Sequence, residues 1–395
     1  MKSIVIVEDR ANMPLGHFPN EFAKLADGFV ELGLNVDVLT RRGSWFEGSR
    51  ERAWNLHEAG PLADRLLGIA RRGMATSGYF AGRSERAIGF RAHVGALLRT
   101  AVLIVSARRL ARSRSGESAP IVVVAMDFIP ALLMIFGGAD RWLIWQYTPD
   151  ISFSRLARVI DRIRCVCRRP ARQVALAVHY EHWLATVSEQ LPCFEVVDIP
   201  LVASRNAESD RDASRAALGL DAGVNVALLF AAGHPEQFPE VVLEAFQRRP
   251  DWQLVIGGAV CERLAPVSTA DWETPPLMFG TFVDEVIREQ LFSSADLVVL
   301  SFVSEYRLSS GTVMDAASHR LPIVVSSGSL ASDLVELTGA GEVFEAESPK
   351  SLLEALDRLD AERAREGSER LRERYSQSVV CRAHLDVLGS LDASA

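Results

Sequence analysis

The residues whose types and order bear most directly on chemistry lie between Ala295 and Val325. The segment opens Ala295-Asp296-Leu297-Val298-Val299-Leu300-Ser301. It continues Ser304-Glu305-Tyr306-Arg307-Leu308-Ser309-Ser310-Gly311-Thr312-Val313-Met314-Asp315-Ala316-Ala317 and closes on Leu321-Pro322-Ile323-Val324-Val325. The apolar run reads as a buried strand, the polar stretch as a loop, and the Ser-Ser-Gly turn as the start of a helix with an acid one turn in. Backbone N–H groups at a helix start lack intrahelical partners and sit at the positive end of the dipole. The turn therefore favours a phosphate, and Gly311 allows its close approach. Asp315, near the same end, is placed to accept hydrogen bonds from a ribose diol.

Such a turn needs a strand behind it and a helix ahead of it, and the chain repeats that grammar. Ser3–Val7 reads as a buried parallel strand. A loop with Asn12, Pro14, Gly16 and Pro19 follows, then a helix over Glu21–Leu32 ended by Gly33, then a strand at Val36–Leu39. This β-α-β unit implies a parallel sheet with a right-handed crossover. Residues 41–82 read as irregular and Ser84–Ser113 as a long helix. Further strands are expected at Ile121–Ala125, Trp142–Trp145 and Leu184–Val187, with helices at Pro130–Phe136 and Ile151–His182, the latter broken at Pro170. The second half gives strands at Val226–Phe230, Gln253–Ile256, Leu277–Phe279, Leu297–Leu300 and Pro322–Val325, helices between them, and a charged segment Asp360–Arg374. Alternation in both halves predicts two doubly wound α/β sheets.

A chain of 395 residues suits two domains. With 48% hydrophobic and 24% charged residues it has a globular composition. The net charge of −8 is unevenly shared: residues 1–200 hold 26 basic and 20 acidic residues, and residues 201–395 hold 17 and 31. The basic residues of the front half are mostly Arg, clustered in Arg83–Arg114 and Arg155–Arg172. Such a half could face an anionic lipid surface or acceptor, or simply present solvated helix faces. Five cysteines, an odd number, favour reduced thiols and a cytoplasmic setting. Cys165 and Cys167 have no second pair or His cluster beside them, so no metal is expected. The apolar start Ile4–Val7 is too short for a signal peptide or a span, as is Phe128–Gly137, so membrane contact would be peripheral, at the inner membrane face.

On the Glu305–Val325 segment the chain resembles the retaining, nucleotide-sugar-dependent glycosyltransferases of family 4. Those enzymes carry two glutamates with seven residues between them, the second followed by Ala. Asp315-Ala316 corresponds to the second, ribose-binding acid, and Glu305 is the counterpart of the first, which contacts the transferred sugar. Here nine residues separate the two acids. Phe279-Gly280-Thr281-Phe282-Val283 resembles the loop that binds the nucleotide base through backbone groups, and Gln253–Gly258 the strand before it. Gly339–Val343 and Ser348–Leu356 fit the segment after the donor helix. Gly16-His17-Phe18-Pro19 occupies the first β-α loop, where the family has a Gly-rich turn.

The resemblance implies the GT-B fold: two Rossmann-like domains facing each other across a cleft. The acceptor would lie on an N-terminal domain, 1–203, and the donor on a C-terminal one, 204–358. A helical segment, 359–395, would return toward the first domain. It further implies sugar transfer with retention by a hexosyltransferase-like enzyme that needs neither metal nor cofactor beyond the nucleoside diphosphate sugar. The acceptor is left open among small molecules, glycans and lipids, and no nucleic acid is involved. Donor contacts are expected from Gly16, His17, Gly233, His234, Thr281, Phe282, Val283, Arg307, Ser309, Ser310, Gly311, Thr312 and Asp315.

Two departures from the family pattern qualify this reading. The loop Ala231-Ala232-Gly233-His234-Pro235-Glu236-Gln237-Phe238 lacks the usual Arg and Lys that neutralise the diphosphate, and Gln237 stands near the Lys position. Loss of such charge weakens a large catalytic term unless His234, Arg307 or His17 replaces it. After Trp145, where the family often has a His, the loop reads Gln146-Tyr147-Thr148-Pro149-Asp150. Tyr147, Asp150, or Asp127 from the adjacent strand end could contact the sugar, although an acid there is also an ordinary N-cap. Asp127, Glu305 and Tyr147 are the catalytic candidates. Two alternatives stay open: a catalytically silent partner protein of this fold, and a nucleotide-sugar epimerase or hydrolase.

Overall fold

A computed structural model describes residues 1–8, 18–40, 53–58, 90–113, 119–124, 140–145, 174–179, 181–190, 194–203, 210–233, 235–280, 283–304 and 310–393. Two compact units result, Met1–Pro200 with Gln377–Ala395, and Leu201–Ser376. The 359–395 segment is divided between them rather than travelling as one piece.

In the first unit the strands are β1 (Ser3–Glu8), β2 (Asn35–Thr40), β3 (Asn55–Glu58), β4 (Ile121–Val124), β5 (Trp142–Trp145), β6 (Val174–Val178) and β7 (Glu195–Asp198). They form one parallel sheet in the order β3-β2-β1-β4-β5-β6-β7. Its central strands carry long apolar runs because both faces are covered, as Ile4-Val5-Ile6-Val7 shows with every residue buried. The helices are α1 (Phe18–Glu31), α2 (Phe90–Ser113) and α3 (Glu181–Gln190). Leu103, Ile104, Ala107 and Ala111 of α2 pack on one sheet face with Val5, Val123, Ile144 and Leu176. Arg108 and Arg112, from one of the arginine clusters, both pair with the buried Asp140, at 2.6 and 3.1 Å. These two charges hold α2 to the start of β5.

One expectation fails here. The strand lies at Val174–Val178, within the stretch read as helix, and Leu184–Val187 belongs to α3. Leu184 and Val187 are three apart, the spacing of one helix face, and both meet the core that Val174, Leu176 and Val178 line.

The second unit is built from β8 (Asn225–Phe230), β9 (Trp252–Gly257), β10 (Leu277–Phe279), β11 (Leu297–Leu300), β12 (Ile323–Ser326) and β13 (Gly341–Phe344). All pair in parallel, in the order β10-β9-β8-β11-β12-β13. Its helices are α4 (Arg211–Ala217), α5 (Pro239–Phe246), α6 (Val260–Leu264), α7 (Glu285–Ser294), α8 (Gly311–Ser318), α9 (Leu330–Thr338), α10 (Pro349–Arg358) and α11 (Ala361–Arg374). Strand order reverses between β8 and β11, so the carboxyl ends of these two strands flank the place where doubly wound sheets bind ligands.

At the opposite, amino ends sits a charged clamp. Arg215 of α4 is 1% exposed. It donates to the carbonyls of Ser294, Ala222 and Val224 at 2.8–3.0 Å and to Asp296 Oδ2 at 2.7 Å. The same Asp296 oxygen accepts the Val226 N–H at 2.8 Å, and Arg211 bonds the other oxygen.

The last helix, α12 (Gln377–Ala393), belongs to the first unit and packs on α1. Its His384 is fully buried, edge-on to Trp145 and Phe29, and donates from Nδ1 to the Val380 carbonyl at 2.8 Å. Among the described residues Nε2 has no partner, so the ring has nowhere there to place a second proton. Among the described residues no helix is long and apolar enough to cross a membrane.

Burial pushes the His384 pKa down to about 4, below the ordinary value of 6.5. Between those values the unfolded chain binds the proton and the folded chain does not. This contribution to stability is therefore complete above pH 6.5 and lost as pH falls toward 4. Unfolding by urea at about pH 7 and about pH 5 is expected to show a loss of about 2 kcal/mol from this group. His384→Leu should remove that share of the pH dependence, and an unchanged slope would exclude the assignment.

Candidate functional site

At the carboxyl ends of β8, β9 and β11 a set of backbone hydrogen bonds joins the loops. Ala231 N–H donates to Gly257 O at 3.1 Å, and Val260 N–H to Ala231 O at 3.2 Å. The Phe238 N–H reaches Ser301 O at 3.0 Å and the Val303 N–H reaches Glu236 O at 2.8 Å, with Gln237 and Phe302 paired in an antiparallel bridge between them. Ser326 at the end of β12 continues the line, its hydroxyl accepting from Phe302 N–H at 2.7 Å and donating to Phe302 O at 3.0 Å.

Two glycines make the close approach possible. Gly258 has φ +96°, and a Cβ there would stand 2.5 Å from the Ala231 carbonyl oxygen. Gly233 has φ +72°, and its Cβ would stand 3.2 Å from the backbone of Ala259 and Val260. Both φ values lie where side chains are strained, quite apart from the space.

Helix α8 opens onto this rim. Ser310 is its N-cap, with extended backbone and no capping bond from its own side chain, and Gly311 is the first helical residue. Thr312 Oγ1 donates to Phe230 O at 3.3 Å, which ties the first turn of α8 to the end of β8. The Gly311 and Thr312 amides are thus at a helix start anchored against the sheet, the arrangement that receives an anion.

One turn further, Asp315 is 7% exposed and accepts from Arg288 Nη1 at 2.5 Å. Arg288 comes from α7, whose start is set by Asp284 accepting the Ile287 N–H at 2.8 Å. The far ends of α7 and α8 also meet: His319 stacks on Phe292, centroids 5.5 Å apart, with Nε2 3.4 Å from Glu289. Two contacts at separate points fix the register of these helices.

Of the expected donor residues, the structure brings Ser310, Gly311, Thr312 and Asp315 together on α8, and puts Gly233 on the rim beside β9. Val283 lies half-buried just before α7. Gly16, His17, His234, Thr281, Phe282, Arg307 and Ser309 lie outside the described residues, as do the catalytic candidates Asp127, Glu305 and Tyr147. Gln237, near the position of the family's Lys, is 9% exposed, and its carbonyl accepts from Arg263 Nη1 at 2.7 Å. Arg263 of α6 also forks onto both oxygens of Glu240, at 2.8 and 3.0 Å. Sequence reasoning singled out neither Arg263 nor Arg288. The Arg288–Asp315 pair spans 27 residues, and no local spacing announces it.

Residues 227–361 match the family model for the group 1 glycosyl transferases. That stretch runs from within β8 past β13 and includes the rim residues from Phe230 to Ser326. Sucrose-phosphate synthase from Thermosynechococcus elongatus superposes with a TM-score of 0.67 at 13% identity, over 100% of both chains. The UDP-forming α,α-trehalose-phosphate synthase of Burkholderia xenovorans gives 0.68 at 12%, over 99% of this chain and 100% of that one. An E. coli trehalose-6-phosphate structure bound with UDP-2-fluoro glucose gives 0.64 at 11%, over 98% and 99%. The chain is similar to all three in fold, and the fold is GT-B. No curated protein matches it by sequence.

The two glycines yield an ordered prediction. Gly258→Ala combines positive φ with a backbone clash and is expected to cost well over about 1 kcal/mol, whereas Gly233→Ala should cost about 1 kcal/mol. Urea midpoints of the two variants check the order; Gly258→Ala as stable as the parent would contradict this description of the rim.

Proposed function

We propose, starting from a GT-B chain whose residues 227–361 form a group 1 glycosyl transferase domain, that this protein moves a sugar from a nucleoside diphosphate donor to an acceptor. The observation that carries the reading is the start of α8. Ser310, Gly311 and Thr312 present a phosphate-receiving turn, and the buried Asp315 stands one turn behind it, at the switch point of the sheet.

In this reading the α8 amides receive the donor diphosphate and stabilise the charge that grows on it as the glycosidic bond breaks. Their dipoles are fixed before the reaction, so they need no reorganisation. Asp315 accepts from the ribose hydroxyls, and the backbone on either side of Thr281 meets the base. Transfer is assigned with retention, by front-face attack of the acceptor hydroxyl and without a covalent nucleophile. The leaving group is assigned to the helix amides, with His234, Arg307 or His17 in place of the missing basic pair, so neither a metal nor a further cofactor is called for. Acceptor recognition is assigned to the first unit and a cytoplasmic setting to the chain, with peripheral contact to an anionic membrane through its arginines.

A second reading has one observation in its favour. Gln237 is buried where the family carries a cation, which suits a partner protein that has lost turnover.

A thermal-shift screen with UDP, GDP, ADP and dTDP and their sugars separates the two, followed by transfer assays with a radiolabelled donor. Stabilisation by at least one nucleotide is expected, and Asp315→Ala should lower kcat/KM by about tenfold to hundredfold, the worth of hydrogen bonds to a charged acceptor. No shift with any nucleotide would favour the silent partner. Unchanged turnover in Asp315→Ala would sink the assignment of the donor site.

A further inference from the structure

The Arg288–Asp315 pair links α7 to α8 with side chains only 19% and 10% exposed. A near-buried ion pair is a poor device for stability alone, since desolvating both groups offsets most of their attraction and an apolar pair would serve as well. The stacking of His319 on Phe292 already joins the two helices at their far ends. The pair instead supplies a permanent charge beside the carboxylate and a rigid planar donor that fixes its direction. Asp315 has particular need of that. An aspartate carboxylate sits close to its own backbone, so what it can reach depends on the direction in which that carboxylate is held.

We propose that Arg288 is a positioning residue that fixes the Asp315 carboxylate toward the donor ribose, and that the pair thereby selects ribonucleoside over 2′-deoxyribonucleoside diphosphates. The inference rests on the donor reading of α8. A site whose buried acceptor is fixed to meet a hydroxyl rejects the analogue lacking it, because the acceptor is then left unsatisfied. A carboxylate free to turn away would discriminate less.

The test is calorimetric titration of the full chain with UDP, GDP and ADP and with the 2′-deoxy form of each. The protein should favour the ribonucleotide by about tenfold or more, the worth of one hydrogen bond to a charged group. Arg288→Met should bring that preference close to unity, and Arg288→Lys should retain part of it. In an Asp315→Asn background Arg288→Met should change nothing further, since the two residues act as one. If Arg288→Met does not fold, Arg288→Gln is read the same way. A preference that survives in the variant, or an equal weakening of both nucleotides, would overturn the proposal while leaving the donor site in place. Failure of the parent protein to bind any of the six nucleotides would remove the donor reading, and the proposal with it.

Discussion

The geometry of the second unit depends on a salt bridge that lies at the wrong end of the sheet for chemistry. Asp296 immediately precedes β11, and its carboxylate accepts from the Val226 amide in β8 and from Arg215, which also donates to the carbonyls of Ser294, Ala222 and Val224. The guanidinium is withdrawn from water, so each of these bonds replaces solvation that would otherwise be missing. Their effect is to set the stagger of β8 against β11, Leu297 facing Ala227 and Val298 facing Leu228. Because a strand is nearly inextensible, that stagger is transmitted to the carboxyl ends, where Phe238 meets Ser301 and Thr312 meets Phe230. A slip of one residue at the clamp would reverse every side chain of β11 and separate α8 from the rim.

The parts of this fold that were legible in the sequence are those whose signal is local. The β8, β9 and β11 runs are apolar over their buried residues, Val226–Leu229, Leu254–Ile256 and Leu297–Leu300, and the turn before α8 announces itself through Ser310 and Gly311. Where two signals overlap, reading fails. Val174–Val178 follows a long stretch with helical spacing and reads as its continuation, while Leu184 and Val187, close together and aliphatic, read as a strand. The edge strands β3 and β7 have only half-buried centres, so neither an apolar run nor a clean alternation marks them. Contacts made across the fold leave no trace at all: Arg288 is one of several charged residues in an ordinary amphipathic helix until α8 is placed beside it.

Charge tells a similar story. The arginine-rich front half suggests a surface for anions, yet Arg108 and Arg112 converge on the buried Asp140 and serve the packing of α2. In the second unit Arg215, Arg263 and Arg288 each face an acid, Asp296, Glu240 and Asp315. Counting basic residues along the chain therefore overstates what an incoming ligand would meet. For a diphosphate arriving at α8, the relevant field among these groups comes from backbone dipoles and from whatever charge an ion pair releases when it rearranges.

That reliance on backbone explains how the fold can persist at so little sequence identity to the solved GT-B structures. The rim is held by amides and carbonyls of Ala231, Gly257, Val260, Glu236, Phe238, Ser301 and Val303, groups that every residue type other than proline supplies. Selection at those positions acts on shape: glycine where φ is positive and a Cβ would strike the neighbouring loop, small or apolar residues elsewhere. The strands beneath need only be apolar and of the right length. Side-chain identity matters at few points, and one of them is Asp315, one turn into α8, whose buried carboxylate accepts from Arg288. A carboxylate withdrawn from water in this way needs a partner for its charge. That partner is a guanidinium from a neighbouring element, and α7 is the helix whose register, set by Asp284 at one end and Phe292 at the other, delivers it.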